Sequence, residues 1–92
     1  MIRSWANSAT RQFAEDGKCK FSGLDEDQAA ELLAALDAAT SLQDLSPLRS
    51  IGLHKLKGGR KGQWAMTVNG PWRICFVFRE GDAWDVEIVD YH

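Results

Sequence analysis

The spacing of apolar residues along this chain changes once, near Ile51. Before it, apolar positions recur every three or four residues; after it, they alternate. The clearest early segment begins at Asp25, a good N-cap, with Glu26 and Asp27 in the first turn and Gln28 placed to complete a capping box. Ala29, Leu32, Leu33, Leu36 and Ala39 then form one apolar face of a helix. A shorter helix opens at Asn7 or Ser8 and runs to about Asp16. Ala9, Gln12 and Phe13 lie near its inner stripe, and Gly17 ends it as a left-handed residue. Ile2 to Trp5 reads as a short strand, Lys18 to Gly23 as a loop, and Ser41 to Asp44 as a capped single turn stopped by Pro47.

The second half reads as strands. Leu53 to Lys57 is a short one, followed by a flexible basic loop from Gly58 to Gly62. In the next run Trp64, Met66 and Val68 point one way, and Asn69-Gly70 signals a hairpin. Trp72, Ile74, Phe76 and Phe78 alternate with Arg73, Cys75, Val77 and Arg79. A second hairpin at Gly81-Asp82 leads to a last apolar stripe of Trp84, Val86 and Ile88, with Asp85 and Glu87 on the other side. Helices first and hairpin-linked strands afterwards predict an α+β fold: two N-terminal helices packed on one face of a mostly antiparallel, four- to five-stranded twisted sheet. The other face is left open, with Arg73 and Arg79 on it.

Composition narrows this picture. The 92 residues make one domain, 1–92, and a 45% hydrophobic content with four Trp and four Phe supplies a core without disulfide or metal staples. Cys75 sits in a strand pattern and reads as a small buried hydrophobe, which suits a reducing cytoplasm. No window approaches a membrane span and the first residues carry no signal-like apolar run, so a cytoplasmic location is expected. Net charge is −2, yet Leu48 to Arg79 contains Arg49, Lys55, Lys57, Arg60, Lys61, Arg73 and Arg79 and no acid. A positive surface on an acidic body points to an anionic partner such as RNA.

The polar residues near this surface suit one chemistry. His54, Lys57, Arg73 and the closing run Asp90-Tyr91-His92 supply imidazole, ammonium, guanidinium, phenol and carboxylate. Metal-free RNA cleavage needs a base for the 2′-OH, cations for the charged transition state and an acid for the departing 5′-oxygen. Imidazole, with an unperturbed pKa of about 6.5, serves as either acid or base. The structural alternatives are an Arg73 paired with Glu87 or Asp85 and a Tyr91 packed at the sheet edge. Zinc-ligand spacing, a P-loop and a dinucleotide fingerprint are absent, and Cys75 has no signature of a nucleophile.

Taken together, Leu53-His54-Lys55-Leu56-Lys57-Gly58, Arg60-Lys61-Gly62-Gln63-Trp64, Val68, Trp72-Arg73-Ile74-Cys75-Phe76 and Asp90-Tyr91-His92 resemble the HigB toxins of the RelE/ParE superfamily. The resemblance is carried by about the last 40 residues. It implies a RelE-like microbial ribonuclease fold and a metal-independent, cofactor-free endoribonuclease that cuts mRNA in the ribosomal A site and arrests translation. It also implies a HigA-type helix-turn-helix antitoxin as partner, through which alone operator DNA is bound. The family's active-site positions fall on His54, Lys57, Arg73, Asp90, Tyr91 and His92. Arg49, Lys55, Arg60, Lys61 and Arg79 are the expected RNA and ribosome contacts. Two rival readings share the fold: a ParE-like inhibitor of DNA gyrase that cleaves nothing, and a non-catalytic ribosome- or RNA-binding module.

Overall fold

The computed structural model describes residues 1–45, 52–60 and 62–90. Pro47, Arg49, Lys61, Tyr91 and His92 lie outside the described residues, and so does the predicted stop at Pro47. Helix α1 spans Ser8–Asp16 and helix α2 spans Glu26–Ala38. They are followed by β1 (His54–Lys55), β2 (Trp64–Asn69), β3 (Trp72–Arg79) and β4 (Asp82–Asp90). The strands form one antiparallel sheet in sequence order.

Local chemistry fixes the helix ends. Asn7 accepts a hydrogen bond from the Thr10 N–H at 2.9 Å, and Gly17, at φ 72°, closes α1 by donating to the Phe13 carbonyl at 3.0 Å. Asp25 accepts from the Gln28 N–H at 3.1 Å. The return half of the predicted capping box comes from elsewhere. The Asp25 N–H donates to Asn69 Oδ1 at 2.8 Å, and Asn69 Nδ2 donates to the Gly23 carbonyl at 2.9 Å. One amide thereby ties the start of α2 to the end of β2. The hairpin turn that follows is centred on Gly70-Pro71, flanked by the Asn69–Trp72 pair.

The core lies between the helices and one face of the sheet. Leu32, Leu33 and Leu36 of α2 and Phe13 of α1 meet Met66, Val68, Ile74, Phe76, Val86 and Ile88. Three expectations need correction. Ile2 to Trp5 is not a strand; its backbone makes single parallel bridges to Ala83 and Val86. The strand expected over Leu53 to Lys57 shrinks to His54–Lys55, and the loop after it contains a 3₁₀ turn, Gly58–Arg60.

The third correction concerns Trp84. Val77 opposes Trp84, but two residues back Cys75 opposes Glu87, so β4 carries one extra residue. The bulge falls at Asp85, whose φ is 53°. An extra residue reverses the facing of everything before it. Ala83, fully buried, therefore faces the helices, and Trp84 turns to the open face opposite Val77.

The outer edge of β4 is sealed by the first ten residues. Met1 O accepts the Ala83 N–H at 3.0 Å, Ser4 Oγ the Asp85 N–H at 2.8 Å, and Ser4 O the Val86 N–H at 3.1 Å. Thr10 Oγ1 then accepts the Ile88 N–H at 3.0 Å, in the interior. Thr10 is fully buried. Thr10→Val keeps the shape and removes the acceptor, stranding a buried donor at a cost of about 1–3 kcal/mol. Thermal melts should show a clear loss of stability with the fold retained; a melt equal to wild type would contradict this role for the hydroxyl.

Asp44 closes the turn Leu42–Leu45 by accepting from the Thr40 N–H (2.8 Å), the Thr40 hydroxyl (3.1 Å) and the Ser41 N–H (3.2 Å). These bonds, led by the Thr40 N–H, hold its carboxyl below the usual aspartate value. A carboxyl depressed on folding stabilises fully above its unfolded pKa, near 4, and loses that contribution as pH falls through its folded value. Asp44→Asn should lower the melting temperature at neutral pH and flatten its fall on acidification. Wild-type and variant curves running parallel from pH 6 down to pH 2 would contradict it.

Candidate active site

Both helices pack on one side, and among the described residues no α-helix lies on the other face of the sheet. Residues directly opposite one another in the ladder share a face, so register defines rows. One row runs His54, Ala65, Cys75, Glu87; the next runs Thr67, Arg73, Val89. A small apolar cluster of Leu56, Ala65 and Cys75, with Val89 against it, lies under these rows. His54 and Arg73 thus stand on one face, two strands apart and two residues offset along the strand, a backbone separation of roughly 12 Å. That gap is wide enough for a phosphodiester between two long side chains.

His54 is exposed, and its Nδ1 lies 2.9 Å from the Gly52 carbonyl oxygen. A carbonyl only accepts, so Nδ1 carries the proton in this contact. In the neutral ring the lone pair is then on Nε2, directed away from the backbone, which is the form a general base requires.

Arg73 is half-buried in the sheet. Its Nη1 donates to the Gly70 carbonyl at 2.7 Å and to the Trp72 carbonyl at 3.0 Å. The alternative pairing with Glu87 or Asp85 is not what the ladder gives: Glu87 is bound by Arg60 (3.2 Å), and Asp85 accepts from the Ser4 hydroxyl (3.3 Å). Two backbone carbonyls orient the guanidinium without neutralising it. Lys57 is exposed one residue before Gly58, beside a recess of about 340 Å³ lined by Lys55, Leu56, Lys57 and Gly58.

Other predicted residues fall differently. Asp90 is exposed and opposes Trp72, whose ring packs against the helix-side core; register therefore puts Asp90 in a row on the face opposite Arg73 and His54. Lys55 opposes Trp64, so it too points away from the His54 row. Arg79 is exposed with its guanidinium 4.5 Å from the centre of the Trp84 ring. Arg60 reaches across the face and donates to both Gln63 Oε1 (3.0 Å) and Glu87 Oε1 (3.2 Å). Sequence reasoning placed Asn7 at the start of α1 and offered Glu87 as a partner of Arg73, but it gave neither them nor Gln63 a contact network with Arg60. The available signal was an acid at an outward position of β4, facing a stretch otherwise read as basic.

Cys75 is fully buried, and burial pushes its thiol up, aided by the Glu87 charge and opposed by Arg60 and Arg73. A thiol so placed stays protonated and unreactive.

Two helices behind an antiparallel sheet, with the His54 imidazole and the Arg73 guanidinium on its other face, agree with the fold expected of the RelE-like toxin class. The family described as HigB-like toxin, "RelE-like toxin of type II toxin-antitoxin system HigB", matches residues 3–92, and the chain belongs to it. Endoribonuclease HigB of Proteus vulgaris is 40% identical over 96 aligned residues, with 100% of both chains covered.

The His54 contact makes a direct prediction. In its neutral form the ring should be the Nδ1–H tautomer, readable from the two imidazole nitrogens by nitrogen-15 NMR. A dominant Nε2–H tautomer would remove the base geometry.

Proposed function

We propose that this chain is the toxin of a type II module and acts as a metal-independent endoribonuclease on mRNA in the ribosomal A site. The observation that carries the reading is the Nδ1 contact of His54 with the Gly52 carbonyl, which leaves the Nε2 lone pair to act as base on the same sheet face as Arg73. The endoribonuclease name of the relative, 40% identical over the full length, supports it. In this mechanism His54 Nε2 takes the proton of the 2′-OH, and the 2′-oxygen attacks the adjacent phosphorus. Arg73 and Lys57 stabilise the negative charge on the phosphorane-like transition state. An acid from the closing run, Tyr91 or His92, protonates the departing 5′-oxygen. The products are a 2′,3′-cyclic phosphate and a 5′-hydroxyl. Asp90 serves by orienting that run rather than by touching the phosphate. A HigA-type helix-turn-helix antitoxin is the partner that holds the toxin in check.

The chain's net charge of −2 leaves little general attraction for RNA, so the ribosome supplies the positioning. Clear cleavage should appear during translation and negligible cleavage on naked mRNA. Arg73→Ala should lower the cleavage rate by about a hundredfold or more with ribosome binding retained, and Arg73→Lys should recover it in part. Removing Tyr91 and His92 should abolish cleavage with an unchanged melt. Primer extension on translated and free mRNA measures all three. Efficient cutting of free mRNA at physiological salt would overturn ribosome dependence, and stalled ribosomes without new 5′ ends would favour the binding module instead.

A further inference from the structure

The loop from Gly58 to Gly62 carries three glycines, and nothing lies within 4 Å of where a side chain would grow from Gly58, Gly59 or Gly62. Two of them, Gly58 at φ 67° and Gly62 at φ 91°, hold backbone shapes that glycine adopts freely. No side chain at these three positions packs to order the segment, and a glycine-rich segment loses much entropy on ordering. Lys57 stands at its root. Among the described residues, the Leu56 N–H closes the base of the loop on the Gln63 carbonyl at 2.8 Å, and the contacts made by the loop itself centre on Arg60. Its carbonyl accepts the Gln63 N–H at 3.0 Å, and its guanidinium reaches Gln63 Oε1 at 3.0 Å and Glu87 Oε1 at 3.2 Å.

Glu87 is itself held. Its other oxygen, Oε2, accepts from Asn7 Nδ2 at 3.3 Å, while Asn7 Oδ1 caps α1 through the Thr10 N–H at 2.9 Å. Arg60 therefore spans from the loop, past the row of Ala65 and Cys75, to a carboxylate fixed by the helix cap at the far edge of the sheet. The side chains of Arg60 and Glu87 are 32% and 25% exposed, so the pair is screened and contributes modestly to global stability. Its effect is local.

We propose that Arg60 and Glu87 form a latch that positions Lys57 by holding the Gly58–Arg60 turn against the open face, with Asn7 fixing the latch to helix α1. Arg60 is then a positioning residue and not an RNA contact. The inference rests on the reading of this face as the catalytic one.

Two measurements on Arg60→Ala, Glu87→Ala and the double variant test it. Amide hydrogen exchange on the free protein reads the loop whether or not cleavage occurs. Cleavage on programmed ribosomes gives kcat and KM. Each single variant should speed exchange at Gly58, Gly59 and Gly62 and lower kcat by roughly ten- to a hundredfold with KM little changed, the expected cost of a misplaced group. The double variant should be no worse than the poorer single, because both break one link. Glu87→Gln keeps the acceptor and the shape, so it should fall between wild type and Glu87→Ala; it also serves if the alanine variant fails to fold. Unchanged loop exchange in the single variants overturns the latch. So does an Arg60→Ala variant with raised KM and a shallower salt dependence, alongside a Glu87→Ala variant as active as wild type, since that pair of results marks a phosphate contact. If wild-type protein cleaves nothing, the functional reading fails, while the exchange measurement still decides the latch.

Discussion

Everything on this scaffold depends on how the outer edge of β4 is satisfied. A strand edge offers a row of N–H groups that must find acceptors, and among the described residues no further α-helix covers it. The first ten residues do so without forming a strand. Met1 and Ser4 provide backbone oxygens, and the Ser4 and Thr10 hydroxyls provide the rest. The Ser4 hydroxyl takes the N–H at the bulge, where a regular neighbour would lose register. The Ile2 N–H in turn donates to Asp37 Oδ1 at 2.8 Å, which fastens the segment to α2. Because Thr10 belongs to α1, sealing the edge also docks the helix. Docking the helix puts Asn7 beside Glu87, and Glu87 meets Arg60. An accounting of backbone hydrogen bonds thus extends, through five side chains, to the loop at the root of which Lys57 stands.

Much of this was legible in the sequence wherever the signal was local. Both helix starts were readable because Asn7 and Asp25 are chemically suited to cap, and the end of α1 because Gly17 permits a left-handed residue. β2 and β3 were readable because apolar residues alternate from Trp64 to Val68 and from Trp72 to Phe78; the register shift in β2 comes only between Thr67 and Asn69. What failed was non-local. The bulge at Asp85 depends on a serine 81 positions earlier, and no pattern within β4 announces it. Trp84 was therefore assigned to the wrong face. The reciprocal cap at Asp25 comes from Asn69, 44 residues away, so the nearer Gln28 looked sufficient. At the site, the residue types of His54, Lys57 and Arg73 stood out, but their geometry did not. The tautomer of His54 rests on a carbonyl of Gly52. The engagement of Arg60 rests on Glu87, 27 residues on.

The site combines groups anchored in different ways. His54 and Arg73 are held by neutral carbonyls, which orient a ring or a fork and leave its charge available. Arg60 is held by a carboxylate, which consumes most of its field outside the pair. The same basic stretch thus divides into charge left available on the open face and charge used inside the protein. That division explains how an acidic chain can carry a positive site without spreading positive potential over its whole surface.

β1 invites a last thought. It is the other edge of the sheet, and it is only two residues long, one of them a lysine. Sheets grow across molecules by adding a strand to an edge that exposes a continuous ladder, and a two-residue edge offers almost no ladder to copy. With the β4 edge occupied by the chain's own first residues, the sheet is blunted on both sides. A concentrated solution of this protein therefore has little means of stacking strand on strand into fibres, even though β2, β3 and β4 carry three Trp and two Phe among them.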